Sequence, residues 1–310
     1  MSFFTYIKAV GTGPKSNRDL SYEEMKDAIK QILDNQCESE QAAAFLMCLR
    51  IKLESNEELK GCLDAFEPYM NKVDIPQSVE LGFSYDGKTD QPFLFPLTAQ
   101  ILESFFQKNK TIVPFDLVIS GDLEQPAKSG LTVKEVATAI TLPANLHFFD
   151  RANYCKALSA LTPLRKKLYM RTIFNTVEKL LNPANSNYAI TSAFHKPYVK
   201  KYFDLFGDKY ENMMIIKGDE GNPEVFGDFK YWVKKEDEIV EQILTLNSFG
   251  IEYSHTYEKI TLAQNLELLA QPSDELLALA QLNAAILLVV AKRFDTVHEA
   301  YAHIKPSYKE

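Results

Sequence analysis

The chain has 310 residues, 46% of them hydrophobic, which is enough to bury a substantial core without a metal or disulfide staple. Its formal net charge of −8 opposes non-specific attraction to phosphate backbones, although Lys and Arg cluster locally around residues 156–171, 196–201 and 230–235. The four cysteines, Cys37, Cys48, Cys62 and Cys155, form no CxxC pair and read as reduced, packed thiols of a cytoplasmic protein.

The opening MSFFTYIKAVGTG lacks a basic end followed by a long apolar run, so no signal peptide is expected. The longest apolar stretch, Ala284 to Ala291, is far short of the roughly 18 residues of a membrane span. Ser21 with Glu24, and Ser55 with Glu58, have the spacing of capping boxes and predict helix starts. After the first, Met25, Ala28, Ile29, Ile32 and Leu33 lie on one helical face. Between the boxes, 41–53 (QAAAFLMCLRIKL) is apolar on most sides, so neighbours or a second subunit must cover it.

From about residue 78 short β-rich runs (SVELGFSY, TIVPFDLVIS, NYAITSAF, NMMIIKG) alternate with helical segments at 96–107 and 132–140. That alternation predicts an α/β domain with a mostly parallel central sheet. Ser273 opens a long apolar helix suited to the middle of the sheet, and a short helix follows at 296–303. Residues 226–264 read only as mixed strand and helix. The five histidines, His147, His195, His255, His298 and His303, have no nucleophile motif around them and read as surface or packed histidines, with His195 taken as structural.

Several stretches, in order, resemble the anthranilate phosphoribosyltransferase family, relatives of the pyrimidine nucleoside phosphorylases. They are LSYEEMKDAIKQIL, QAAAFLMCLRIKLESNEELKGCLDAF, ALTPLRKKLYMRTIFNTVEKLLNPA, FHKPYVKKYFDLFG, MMIIKGDEG and LALAQLNAAILLVVAK. The resemblance implies a small N-terminal helical domain (1–73), joined in space by helices from about 154–182, and a larger α/β domain (74–153 and 183–310). It further implies a substrate cleft between them and a homodimer through the N-terminal helices.

The same resemblance locates departures. Where the family has a GTGGDG loop followed by FNIST, this chain has Ser84-Tyr85-Asp86-Gly87-Lys88-Thr89-Asp90 and then Phe93 to Leu97. A single glycine remains, and Leu94, Pro96 and Leu97 supply no donor to a phosphate. The KHGN motif falls on Ile119-Ser120-Gly121-Asp122, with Lys128-Ser129-Gly130 after it, and Asp122 would repel a phosphate. The family's magnesium-holding Asp-Glu pair falls on Gly221-Asn222-Pro223-Glu224, with Asp219 and Glu220 nearby. Arg165 stands where the family's arginine faces the aromatic acceptor, and Arg171 and Asn175 keep their places; an arginine on a domain-connecting helix equally fits pairing with an acid for structure.

This pattern looks like the divergent second-type branch, for which nucleic-acid binding by a non-catalytic dimer is one proposed role. The first expectation is therefore a re-purposed homodimer binding an anionic ligand such as nucleic acid in a groove lined by Lys88, Lys128, Arg165 and Arg171. The alternative is an active phosphoribosyltransferase with a sugar phosphate held by Asp86, Gly87, Lys88, Thr89, Ser120, Gly121 and Ser129, and magnesium on Glu224, Asp219 or Glu220. A purely structural or interaction role is the third.

Overall fold

A computed structural model describes residues 2–236 and 238–305. Four helices open the chain: α1 (Phe3–Gly11), α2 (Tyr22–Leu33), α3 (Ser39–Lys52) and α4 (Asn56–Ala65). Both predicted capping boxes form, Ser21–Glu24 on α2 and Ser55–Glu58 on α4, each side chain taking the other residue's backbone N–H. α2 buries the five residues of its apolar face. On α3 the covered side is Ala42, Phe45, Leu46 and Leu49, whereas Ile51 and Leu53 at its end are exposed.

The α/β part follows as β1 (Ser78–Gly82), α5 (Phe95–Lys108), β2 (Asp116–Gly121), α6 (Val133–Ala139) and β3 (Leu146–Asp150). The chain then makes the short helices α7 (Arg151–Tyr154), α8 (Lys156–Ser159), α9 (Thr162–Leu168) and α10 (Ile173–Val177). It returns through β4 (Tyr188–Ser192), α11 (Lys196–Phe206), β5 (Asn212–Ile216), β6 (Phe229–Lys235), β7 (Glu238–Leu244), α12 (Leu262–Ala270), α13 (Asp274–Val290) and α14 (Val297–Ile304). The seven-stranded sheet has the order β3-β2-β1-β4-β5-β6-β7. β3, β2, β1, β4 and β5 are parallel, and β6 and β7 close one side as an antiparallel extension.

Two apolar clusters organise the packing. One lies between the sheet and α5, α6, α13 and α14, with α13 buried almost all round against the sheet. The other unites α1–α4 with Tyr154, Leu158, Ile173, Phe174, Val177 and Leu181, and continues onto α11 and the facing side of β4 and β5. The stretch that sequence patterning left as mixed contains β6, β7 and the start of α12. β3 went unread because LHFFD is short and half covered. No single helix among the described residues is long and apolar enough to cross a membrane.

Candidate functional site

The loops after β1, β2, β4 and β5 all emerge at the carboxyl ends of parallel strands, where open α/β sheets place ligands. They face the end of α3 and the α9–α10 connection across a cleft of about 840 Å³. Its cations are Arg50, Lys128, Arg171 and Lys179, and its rings include Phe194, His195, Tyr198 and Tyr202.

The loops after β1 and β2 are zipped to each other. Lys88 N and Leu131 N each donate to the other residue's carbonyl at 2.8 Å, and Gly130 N donates to Asp86 O at 3.1 Å. Gly87 (φ +79°) and Gly130 permit this contact: a Cβ on Gly130 would sit 2.5 Å from the Lys88 carbonyl oxygen. These glycines therefore serve the approach of one backbone to another, not of a backbone to a ligand.

Lys88 does not line the groove. Its side chain is fully buried, paired with Glu224 and donating to Pro92 O at 2.9 Å, with the rings of Phe93 and Phe226 over the ammonium at 4.9 and 4.6 Å. Glu224 also accepts from Leu94 N at 2.9 Å. Arg165 is likewise absent from the cleft: it forks onto Glu178 at 2.6 and 2.8 Å, and Arg151 joins the same carboxylate. Asp122, expected to repel a phosphate, instead accepts from Arg151 Nε at 2.6 Å and from Ser159 Oγ at 3.0 Å, at zero side-chain exposure. A low dielectric and a fixed partner make each of these charges part of the interior.

The cleft does receive Asp86, Thr89, Lys128 and Arg171. Arg171 reaches Asp86 with both Nε and Nη2, while its own carbonyl accepts from Arg50 at 2.8 Å. Asn175 donates to Pro126 O at 3.2 Å. Ser120 is buried with no partner on its hydroxyl, Gly121 packs against Lys134 and Phe148, and Ser129 is exposed at φ +58°. None of these three lines the cleft. His195, read as structural, is exposed on the cleft wall, its ring edge-on to Phe194 at 4.9 Å.

The three acids considered for magnesium are not arranged as a metal cradle. Glu224 is sealed against Lys88. Glu220 is turned into the loop after β1, where Thr89 N, Asp90 N and Thr89 Oγ1 donate to it at 2.7, 2.8 and 2.8 Å. Burial alone would raise the Glu220 pKa, but these donors and the charge of Lys128 outweigh it and lower it. The Asp219 carboxyl is pushed up by burial, with Lys88 opposing and Glu220 adding to the shift. Among the described residues no three His, Cys, Asp or Glu side chains converge as ligands. As placed, Glu224 and Glu220 are engaged elsewhere and do not form the acid pair that the family resemblance implies for a divalent ion.

Lys179 was missed by sequence reasoning. It comes from the 3-10 turn after α10 and donates to Ser192 O and Gly221 O, both at 3.0 Å. Burial brings its pKa down to about 8, with Lys128 and Arg171 adding to the shift and Asp86 opposing it. The signal was a Glu-Lys pair inside the apolar run TVEKLL: one member holds the buried arginines, and the other touches the cleft.

A helical bundle set against a mostly parallel sheet, with a polar cleft where the strands end, defines a two-part transferase architecture. The chain belongs to the glycosyl transferase family whose helical bundle domain matches residues 5–67 and whose a/b domain matches residues 130–309. A relative from Aquifex aeolicus, an uncharacterized protein, is 32% identical over 93% of both chains. The anthranilate phosphoribosyltransferase of Caldicellulosiruptor saccharolyticus is 27% identical over 77% of this chain and 74% of its own. Among solved structures, the Saccharomyces cerevisiae anthranilate phosphoribosyltransferase in complex with PRPP and Mg superposes with a TM-score of 0.75. It covers 99% of this chain and 93% of its own at 16% identity, a likeness of fold.

Proposed function

We propose that this anthranilate phosphoribosyltransferase-like chain is a re-purposed, non-catalytic member of its family that binds single-stranded nucleic acid in the inter-domain cleft. The observation that carries this reading is the pairing of Arg50, Lys128 and Arg171 with the exposed or half-exposed rings of Phe194, His195 and Tyr198 on one cavity wall system. Cations that track a backbone beside faces on which bases stack are the chemistry of sequence-tolerant strand binding. The sealed Lys88–Glu224 pair supports the non-catalytic half, since it withdraws a lysine and an acid from any sugar-phosphate substrate. Exposed Phe4 and Ile51, on the mutually packed α1 and α3, support a homodimer through the helical bundle.

The test is fluorescence anisotropy with a short oligothymidylate across a salt series. Affinity should fall steeply with salt, and Arg171→Ala or Lys128→Ala should each lower the log–log slope by about 1. A salt-independent affinity, or none, refutes the reading. Sedimentation of the wild type and Ile51→Glu tests the dimer.

A second reading, phosphoribosyl transfer, is favoured by the donors of Thr89 and Asp90 beside Lys128, together with Arg171 and Asn175. Calorimetric titration with phosphoribosyl pyrophosphate and magnesium separates the two, with micromolar binding favouring the enzyme.

A further inference from the structure

We infer that Glu220 is an internal plug, its carboxylate filling an anion nest on the floor of the cleft that a ligand phosphate enters only by displacing it. Three successive backbone N–H groups converge on this one side chain: Thr89 at 2.7 Å, Asp90 at 2.8 Å and Gln91 at 3.3 Å. The Thr89 hydroxyl donates at 2.8 Å, and the Lys128 ammonium stands 3.4 Å from the same oxygen. The donors of residues 89–91 lie about 130 positions from Glu220 in sequence, and Lys128 lies 92 away, so this is no local cap. Consecutive N–H groups with a lysine above them make a concavity suited to a phosphate group, whose terminal oxygens can take the same five donors. Its present occupant is a side chain only 6% exposed.

Glu220 sits in an anchored loop with space beside it. Its loop, residues 217–224, is tied down on the cleft side by hydrogen bonds: Asn222 accepts from Ser84 N at 2.9 Å, Ser84 Oγ donates to Gly221 O at 3.0 Å, and Gly218 N donates to Ser192 Oγ at 3.2 Å. Glu220 itself is left-handed (φ 51°) and is followed by Gly221 (φ +79°), around which there is space. Glu220 also borders a second cavity of about 450 Å³ beneath the β6–β7 hairpin, where Lys217 and Lys230 stand. A displaced carboxylate thus has room there beside Lys217, although Asp219 and Asp228 share the lining and Lys230 is paired with Glu241 at 3.0 Å.

This deepens the cleft reading by fixing where a phosphate would sit, but the filled nest stands on geometry alone. The experiment is calorimetric titration of wild type, Glu220→Ala and Glu220→Gln with inorganic pyrophosphate, and separately with oligothymidylate. The alanine variant should bind pyrophosphate at least tenfold more tightly than wild type, the glutamine variant should fall between them, and adding Lys128→Ala should abolish the gain. The glutamine variant keeps the side-chain shape if alanine disturbs the loop. A gain with pyrophosphate alone points to a free phosphate ligand, and a gain with both points to strand phosphates. Equal affinities in all three proteins, or a gain that survives Lys128→Ala, overturn the plug. Oligothymidylate binding by wild type with no gain in the variants would sink the plug while leaving nucleic-acid binding intact.

Discussion

Lys88 and Glu224 meet from positions 136 residues apart and form an ion pair that solvent does not reach. The first comes from the loop after β1 and the second from the loop after β5, so the pair clasps the two sides of the sheet's central crevice. Removing either partner leaves a buried charge uncompensated, which costs about 3–5 kcal/mol. Lys88→Met and Glu224→Gln should each lower the urea midpoint accordingly. The double variant Lys88→Met/Glu224→Leu should recover most of the loss. An exposed phosphate-binding lysine would show neither behaviour.

Gly130 is predicted to be intolerant of any side chain. A Cβ there would collide with the Lys88 backbone at 2.5–2.7 Å, and backbone cannot step aside as a flexible side chain can. Gly130→Ala should destabilise by roughly 2 kcal/mol or more and disturb the cleft, measured by denaturation and by the oligothymidylate titration.

Lys179 should make anion binding pH-dependent. Its pKa in the free protein is lowered to about 8, so its charge is present at pH 7 and lost as pH rises past 8. A bound polyanion holds the proton on, and affinity therefore falls with rising pH above that point. Lys179→Met should bind more weakly at pH 7 and lose this dependence between pH 7 and 9.

Glu80, buried in β1, gives a pH signature in stability. Burial raises its pKa to about 7, against the Tyr210 hydroxyl and Asn182 N–H that favour the charged form. Folded Glu80 thus holds a proton that the unfolded chain releases between about pH 4.5 and 7. The stability tied to that proton is full below about pH 4.5 and is lost as pH rises through 7, by roughly 3 kcal/mol at most. Glu80→Gln should flatten the slope of stability against pH in that window, which denaturation at pH 5, 6 and 8 would read.

The helix starts were legible because a capping box is local: Ser21 and Glu24, or Ser55 and Glu58, carry both halves of the interaction within one turn. The α/β alternation and the all-round apolar α13 were legible for a similar reason, since period and composition report burial directly. β3 and the β6–β7 hairpin escaped, being short or lying at the rim of the sheet, where half-exposure blurs the pattern. Of the residues that sequence grouped, Asp86, Thr89, Lys128 and Arg171 line one cavity, whereas Lys88 and Arg165 do not, and Lys179, passed over, does.

By itself, then, the sequence determined the helical bundle, the mostly parallel sheet and the family pattern, all written in local periodicity and ordered motifs. The tertiary structure alone decided which charges face the cleft. Lys88 and Lys128, or Arg165 and Arg171, are alike as residues. All four meet a carboxylate from elsewhere in the chain, but Glu224 and Glu178 hold Lys88 and Arg165 out of water, whereas Glu220 and Asp86 leave Lys128 and Arg171 partly exposed to the cleft. A charge becomes interior or available according to partners brought from distant segments, and neither spacing nor composition records that meeting.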